Sequence, residues 1–209
     1  MGEGAGPLRP LLALPLLALL LACGGSDTST STGVPAATAA PACQNAIRTC
    51  MQERTTPPDT IIDVSKAYTA TIHTARGDIV LKLDPKAAPV TVNNFVYLSQ
   101  NHYYDGLTFH RVEAGFVLQG GDPLGNGTGG PGYKLPNETN AAPWVKGSLA
   151  MASSSAGVSG SQFFILLGDA PHLATGGVYN HFGNVLSGQD VATAMKPGDQ
   201  IKSIDIAAQ

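Results

Sequence analysis

Apolar and polar residues alternate through Tyr68 to Thr74 (YTATIHT) and again through Asp78 to Leu83 (DIVLKL), the period-two pattern of strands with one buried face. Ala75-Arg76-Gly77 separates them, a short loop whose glycine accepts positive φ, so the pair predicts a β-hairpin. The period then changes. In PKAAPVTVNNFVYLSQN, residues 85–101, Val92, Phe95, Val96 and Ser99 share one helical face and Pro89 suits a first turn, which predicts one amphipathic helix. Further strands are predicted at Leu107 to Val112, Phe116 to Gly120, Gly147 to Ala152, Gln162 to Leu167, His181 to Val185 and Gln200 to Ile206, with a second helix over Gln189 to Met195. Eight short strands among dense turns predict a mainly β fold, a closed or nearly closed barrel with the two helices capping its ends.

The amino terminus follows a different pattern. Leu11 to Ala22 (LLALPLLALLLA) is continuously apolar but shorter than the roughly 20 residues that span a bilayer as a helix, and it reads as the core of a signal peptide over residues 1–22. The segment LLAC, followed by Gly24, Gly25 and a Ser/Thr run, resembles the lipobox of bacterial lipoproteins, which implies cleavage before Cys23 and its acylation. Plain secretion and an uncleaved anchor are the alternatives. Residues 23–60, rich in Ser, Thr, Ala and Pro, read as a flexible tether with a reach of roughly 35 Å, packing of part of it on the domain near Cys43 to Pro58 being the alternative, and residues 61–209 as the folded domain. Setting Cys23 aside leaves Cys43 and Cys50, which an oxidising compartment would allow to bridge. A straight helix between them would hold their Cα atoms about 10 Å apart, so a bridge needs a bent loop. Two unpaired thiols are the other reading.

Composition narrows the function. The chain of 209 residues carries 12 Lys+Arg against 15 Asp+Glu, a net charge of −3, with 13% charged and 43% hydrophobic residues. That balance lacks the basic footprint of a nucleic-acid binder and holds too much apolar material for a disordered acidic chain. Gly125-Asn-Gly127-Thr-Gly129-Gly130 matches G-x-G-x-x-G, but Pro131-Gly132 follows at once and leaves no helix N-terminus for a pyrophosphate. The five histidines, His73, His102, His110, His172 and His181, have no close metal-ligand spacing, and no cofactor or metal is expected. Two segments hold polar residues beside aromatics: FHRVEAGFVLQGGD, where alternation sets Phe109 with Arg111 and Val117 with Gln119, and GSQFFIL, where Gln162 and Phe164 share a face opposite Phe163 and Ile165.

FHRVEAGFVLQGGDP, GNGTGGPGY, GSLAMA and SGSQFFI, in that order, resemble the signature blocks of the cyclophilin family of peptidyl-prolyl cis/trans isomerases, over Tyr68 to Ile206. The resemblance implies a closed eight-stranded antiparallel β-barrel capped by two α-helices. It implies that Arg111 is the catalytic arginine, with Gln119 and Phe116 beside it, and that Gln162, Phe164 and Leu173 complete the pocket for the proline ring. Ala152, Ser153 and Ser154 fall on the segment that holds the substrate backbone, and Gly127 joins the binding set. Val117 stands where Met is common, which shrinks one wall and is expected to shift preference for the residue before proline; Tyr179 falls where a pocket His is frequent; and His172 stands where many members have Trp, so cyclosporin binding is expected to be weakened. The implied partners are proline-containing polypeptides of exported proteins, met by a monomer anchored outside the cytoplasm. A tethered module that binds proline peptides with little turnover is the alternative.

Overall fold

The structure is a computed structural model and describes residues 1–2 and 48–209. The expected signal segment, Cys23 and Cys43 lie outside the described residues. The hairpin forms as the alternation predicts. Strands β1 (Tyr68–Thr74) and β2 (Gly77–Leu83) pair from Tyr68↔Leu83 to Thr74↔Gly77, and Gly77 adopts φ 127° at the turn. Helix α1 (Pro89–Gln100) begins on its proline and buries Val92, Phe95, Val96 and Ser99 as one face. Its N-cap, Ala88, supplies no side-chain acceptor. The Glu138 carboxylate does so from a distant loop, accepting Val90 N–H and Thr91 N–H at 2.8 Å each.

The remaining strands are β3 (Arg111–Glu113), β4 (Val117–Gly120), β5 (Lys134–Leu135), β6 (Ser148–Ser154), β7 (Gly157–Leu166), β8 (His181–Ser187) and β9 (Ile201–Ala208), with α2 (Gln189–Ala194) before the last. They form one antiparallel sheet in the order β3-β4-β7-β6-β8-β2-β1-β9, with β5 on β7. The sheet curls but does not close, which corrects the closed barrel expected from the sequence. Its end strands β3 and β9 share no ladder; one bridge, Thr108↔Gln200, and backbone bonds such as Phe109 N–H to Asp199 C=O (2.9 Å) span the seam. The turn at Gly198 (φ 91°) bends the partner chain away after that bridge, so residues 107–110, expected as strand, remain loop.

The interior is aromatic at its centre. Phe95 of α1 meets Tyr104, Phe163 and Phe182 at ring-centroid distances of 5.3, 5.5 and 5.3 Å, and all four side chains are fully buried. Burial of each such side chain contributes about 2 to 3 kcal/mol. Helix α1 packs on β9 and β7, and α2 on β2.

The folded part begins earlier than residue 61. Residues 48–52 are helical, Met51 is buried, and Arg48 donates from Nε to the Tyr103 carbonyl (3.1 Å) and from Nη2 to the Asp105 carbonyl. Asn93 fastens the chain again near Asp59 and Ile61: its Oδ1 accepts Ile61 N–H at 2.7 Å and its Nδ2 donates to Asp59 C=O at 3.0 Å. Over residues 48–60 the expected tether is therefore a strap on the domain, because side-chain hydrogen bonds replace the apolar periodicity it lacks. Cys50 within it is disulfide-bonded. Among the described residues no helix is long and apolar enough to cross a membrane.

Candidate active site

Strand alternation on β7 splits its side chains between two environments. Phe163 and Ile165 enter the main core, whereas Phe164 and Leu166 join a second apolar cluster with Val117, Trp144, Ala150, Ala170 and Leu173. That cluster floors a cavity of about 160 Å3 lined by Arg111, Phe116, Val117, Gln119, Ala152, Ser153, Phe164, Leu173 and Tyr179. A larger depression of about 360 Å3, around Lys66, Lys82 and Lys86, has no such convergence of aromatic and polar groups.

The pairing register assembles the polar wall. Arg111 of β3 lies opposite Gln119 of β4, which lies opposite Phe164 of β7. Arg111 Nη1 donates to Gln119 Oε1 at 3.3 Å, and Gln119 Nε2 donates to Gln162 Oε1 at 3.0 Å. Gln162 Nε2 in turn donates to the carbonyls of Gly127 (3.0 Å) and Gly129 (2.8 Å). The loop carrying those glycines is shaped by buried Asp122, whose carboxylate accepts the N–H groups of Leu124, Asn126 and Gly127. The glycine-rich segment is thus an acceptor platform for Gln162. Arg111 has a further partner: Glu113 Oε1 accepts from Nε at 2.8 Å and lies 2.7 Å from Nη2. Three of the five guanidinium N–H donors are engaged and two remain for a ligand. The guanidinium carbon sits 5.6 Å from the Phe116 ring centroid.

Aromatic contacts fix the floor. Trp144 stacks on Phe164 at 6.3 Å, and Tyr179 meets the edges of Phe164 at 5.8 Å and Trp144 at 5.9 Å. Behind them His181 lies edge-on to Trp144 at 5.3 Å, and burial lowers its pKa, so the imidazole is neutral near pH 7 and serves as an aromatic wall. On the open side, β6 pairs with β8 only as far as Ala150↔His181, and its register with β7 shifts between Met151 and Ser153. Ala152 to Ser154 therefore offer an unpaired strand edge toward β8, suited to main-chain hydrogen bonds with an extended peptide.

The residues expected at the site fall into three groups. Arg111, Phe116, Val117, Gln119, Ala152, Ser153, Phe164, Leu173 and Tyr179 line the one cavity; Gly127, Ser154 and Gln162 line the depression that adjoins it. His172, in the 3-10 turn Pro171–Ala174, lines neither and instead packs on Phe116 at 5.7 Å. Phe109 does not share a face with Arg111: the strand starts only at Arg111, and Phe109 turns into the core against Phe163. Sequence reasoning missed Glu113 and Trp144. Glu113 sits two residues beyond Arg111 on the same strand face, and Trp144 is the chain's only tryptophan, so both carried a signal.

Comparison with known proteins agrees with this geometry. Residues 69–206 match the family profile described as cyclophilin type peptidyl-prolyl cis-trans isomerase/CLD. A peptidyl-prolyl cis-trans isomerase of Synechococcus elongatus is 48% identical over 139 residues, 66% of this chain and 94% of that protein. Peptidyl-prolyl cis-trans isomerase B of Bacillus subtilis is 48% identical over 130 residues, 61% of this chain and 90% of that one. The crystal structure of a cyclophilin type isomerase from Cryptosporidium parvum superposes with a TM-score of 0.58 at 32% identity, covering 68% of this chain and 98% of its own. The same parasite protein has a structure determined in the presence of the dipeptide Ala-Pro, with a TM-score of 0.56 and 31% identity.

Proposed function

The chain belongs to the cyclophilin-type peptidyl-prolyl cis-trans isomerase family, and from that premise we propose that the cavity around Arg111 is where it accelerates rotation of X-Pro bonds. Amide resonance imposes a barrier of about 18 to 20 kcal/mol on that rotation. Twisting the bond destroys the resonance and leaves a lone pair on the prolyl nitrogen. The two free guanidinium N–H donors of Arg111 bind that lone pair more strongly than they bind the planar amide, which is preferential binding of the transition state. Phe116, Phe164 and Leu173 hold the ring and exclude water, so the interaction is less screened. Val117 and Tyr179 complete the walls, while the edge at Ala152 to Ser154 grips the backbone. Gln119 and Glu113 hold the guanidinium in register. No nucleophile and no proton transfer is needed.

The observation that carries this reading is the convergence of an anchored guanidinium and an apolar floor on one cavity. Its test is a protease-coupled assay on a short Ala-Pro peptide. Wild type accelerates conversion, and Arg111→Ala loses most of the rate while keeping its thermal midpoint; an Arg111→Ala variant at full rate removes Arg111 from the mechanism. Glu113 favours the rival reading of a binding module with little turnover, because its carboxylate offsets part of the cationic field on the ring nitrogen. Peptide binding with no acceleration by folded wild type would establish that reading.

The sequence extends the proposal to the cell. Leu11 to Ala22 followed by Cys23 supports a lipid-anchored protein outside the cytoplasm, acting as a monomer on proline-containing segments of exported proteins. Mass spectrometry of the mature N-terminal peptide tests the anchor: a diacylglyceryl Cys23 supports it, and a chain that starts elsewhere without lipid rejects it. His172 in place of Trp is expected to weaken cyclosporin, measured as inhibition of the same turnover.

A further inference from the structure

The binding surface does not end at the proline cavity. That cavity shares Gln119, Ala152 and Ser153 with a neighbouring depression, which in turn shares Thr128 and Lys134 with an open groove of about 570 Å3. The groove owes part of its wall to Gln52 and Thr55, both exposed and both in the strap that precedes the family-matched residues 69–206. The strap is seated firmly. A Cβ on Gly132 would come within 2.3 Å of the Gln52 carbonyl oxygen and 2.6 Å of that of Arg54, so glycine there admits the strap's main chain. The Arg54 guanidinium packs 5.7 Å from the Tyr97 ring centroid, and Met51 is buried.

The lining gives the groove a chemistry. Lys134 lies on the border of the two depressions, and among the described residues neither depression is lined by a carboxylate and the Lys134 ammonium has no ion-pair partner. Leu124, 61% exposed, adds an apolar contact, and Gln52, Thr55 and Thr128 add polar ones. We propose that this groove is an additional substrate subsite, built jointly by the strap and β5, that takes an acidic side chain flanking the isomerised proline and pairs it with Lys134. The inference rests on the isomerase reading of the adjoining cavity and adds to it a sequence preference read at a distance from the reacting bond.

Peptides centred on Ala-Pro test it, with one Glu or one Lys walked outward from the proline, one position at a time on each side. Wild type should favour Glu over Lys at the position that reaches the groove by about threefold in KM, the scale of one exposed ion pair, with kcat unchanged and the preference shrinking at high salt. Lys134→Glu should invert the preference, which a merely damaged fold cannot do. Thr55→Glu, remote from the reacting cavity, should abolish the preference for Glu while leaving turnover of the short Ala-Pro peptide unchanged. Equal treatment of Glu and Lys peptides at every position, with the short peptide still turned over, overturns the subsite alone. Should the short peptide not be turned over, the isomerase reading fails; fluorescence anisotropy of the same labelled peptides then decides the subsite, inversion by Lys134→Glu supporting it and indifference rejecting it.

Discussion

Two apolar clusters flank the same strand and differ in completeness. Inside the curl, Phe95, Tyr104, Phe163 and Phe182 are fully buried and meet one another edge-on or tilted. On the other face of β7, Val117, Phe164 and Leu173 retain 3 to 7% exposure and border the cavity, with Trp144 stacked on Phe164. The inner cluster satisfies itself. The outer one leaves apolar surface and two guanidinium donors available, and a ligand completes it. Stability and function are thus assigned to alternate residues of one strand, so neighbouring substitutions should separate them.

Phe163→Ala and Phe164→Ala are the sharpest contrast. Phe163→Ala should lower unfolding free energy by about 3 to 5 kcal/mol, since it opens a void among rings that cannot collapse. Phe164→Ala should cost about half as much, because one side of its ring already faces the cavity. Its loss should appear in turnover, as a raised KM and a lower kcat on the Ala-Pro peptide. Equal stability losses in urea titrations would dissolve the distinction between the clusters.

A smaller effect is expected at Glu138. Its carboxylate is the side-chain cap of α1, the helix that carries Phe95 into the inner cluster. Glu138→Ala should lower stability by about 1 to 2 kcal/mol and leave turnover per folded molecule unchanged.

How much of this is legible in the sequence depends on the range of the forces involved. The hairpin, α1, the existence of β6 to β9 and the opposite facing of Phe163 and Phe164 all arise from local periodicity, whereas β7 starts at Gly157, five residues before the expected Gln162, because Ser153↔Val158 and Ser154↔Gly157 pairing with β6 extends it. The closure of the sheet does not, because it depends on where the turn at Gly198 sends the chain relative to Thr108, a contact between distant segments. The strap looks like tether in the sequence for a related reason: Arg48 and Asn93 hold it through main-chain carbonyls and N–H groups, which leave no hydrophobic pattern. At the site, the family blocks mark residues that converge on one cavity and its neighbour, whereas the roles of Glu113 and Trp144, despite the signal each carries in the sequence, are assigned by geometry.

Weaker still is the effect of loosening the guanidinium. Glu113→Ala should reduce kcat by about threefold at low salt with stability unchanged, and Glu113→Gln, which keeps an acceptor, by less. An increase in kcat instead would mean that Glu113 restrains the cationic field more than it positions it.

The smallest change lies far from both clusters. The His73 ring bonds Asp78 at 2.8 Å and Asp205 at 3.1 Å, joining β1 to β9. Partial burial pulls its pKa down, but those two hydrogen bonds outweigh it and the net shift is upward. The contribution is therefore fully present below the unfolded value, about 6.5, and is lost as pH rises through the folded one. His73→Gln should cost under about 1 kcal/mol in urea near pH 5.5 and nothing measurable near pH 8.5. The opposite pH trend would assign the shift to burial alone.

Catalysis at this cavity requires the Arg111 guanidinium to act as a fork with fixed orientation rather than as a simple charge. NMR exchange spectroscopy of a cis/trans Ala-Pro peptide with wild type and with Arg111→Lys, at matched urea midpoints, measures this directly. Strong exchange cross-peaks with wild type and a rate reduced at least about tenfold with Arg111→Lys are predicted, since an ammonium directs its three N–H donors from one nitrogen and lacks the planar fork that anchors on Glu113 and Gln119 while aiming at the prolyl nitrogen. Equal exchange rates for the two proteins would contradict it.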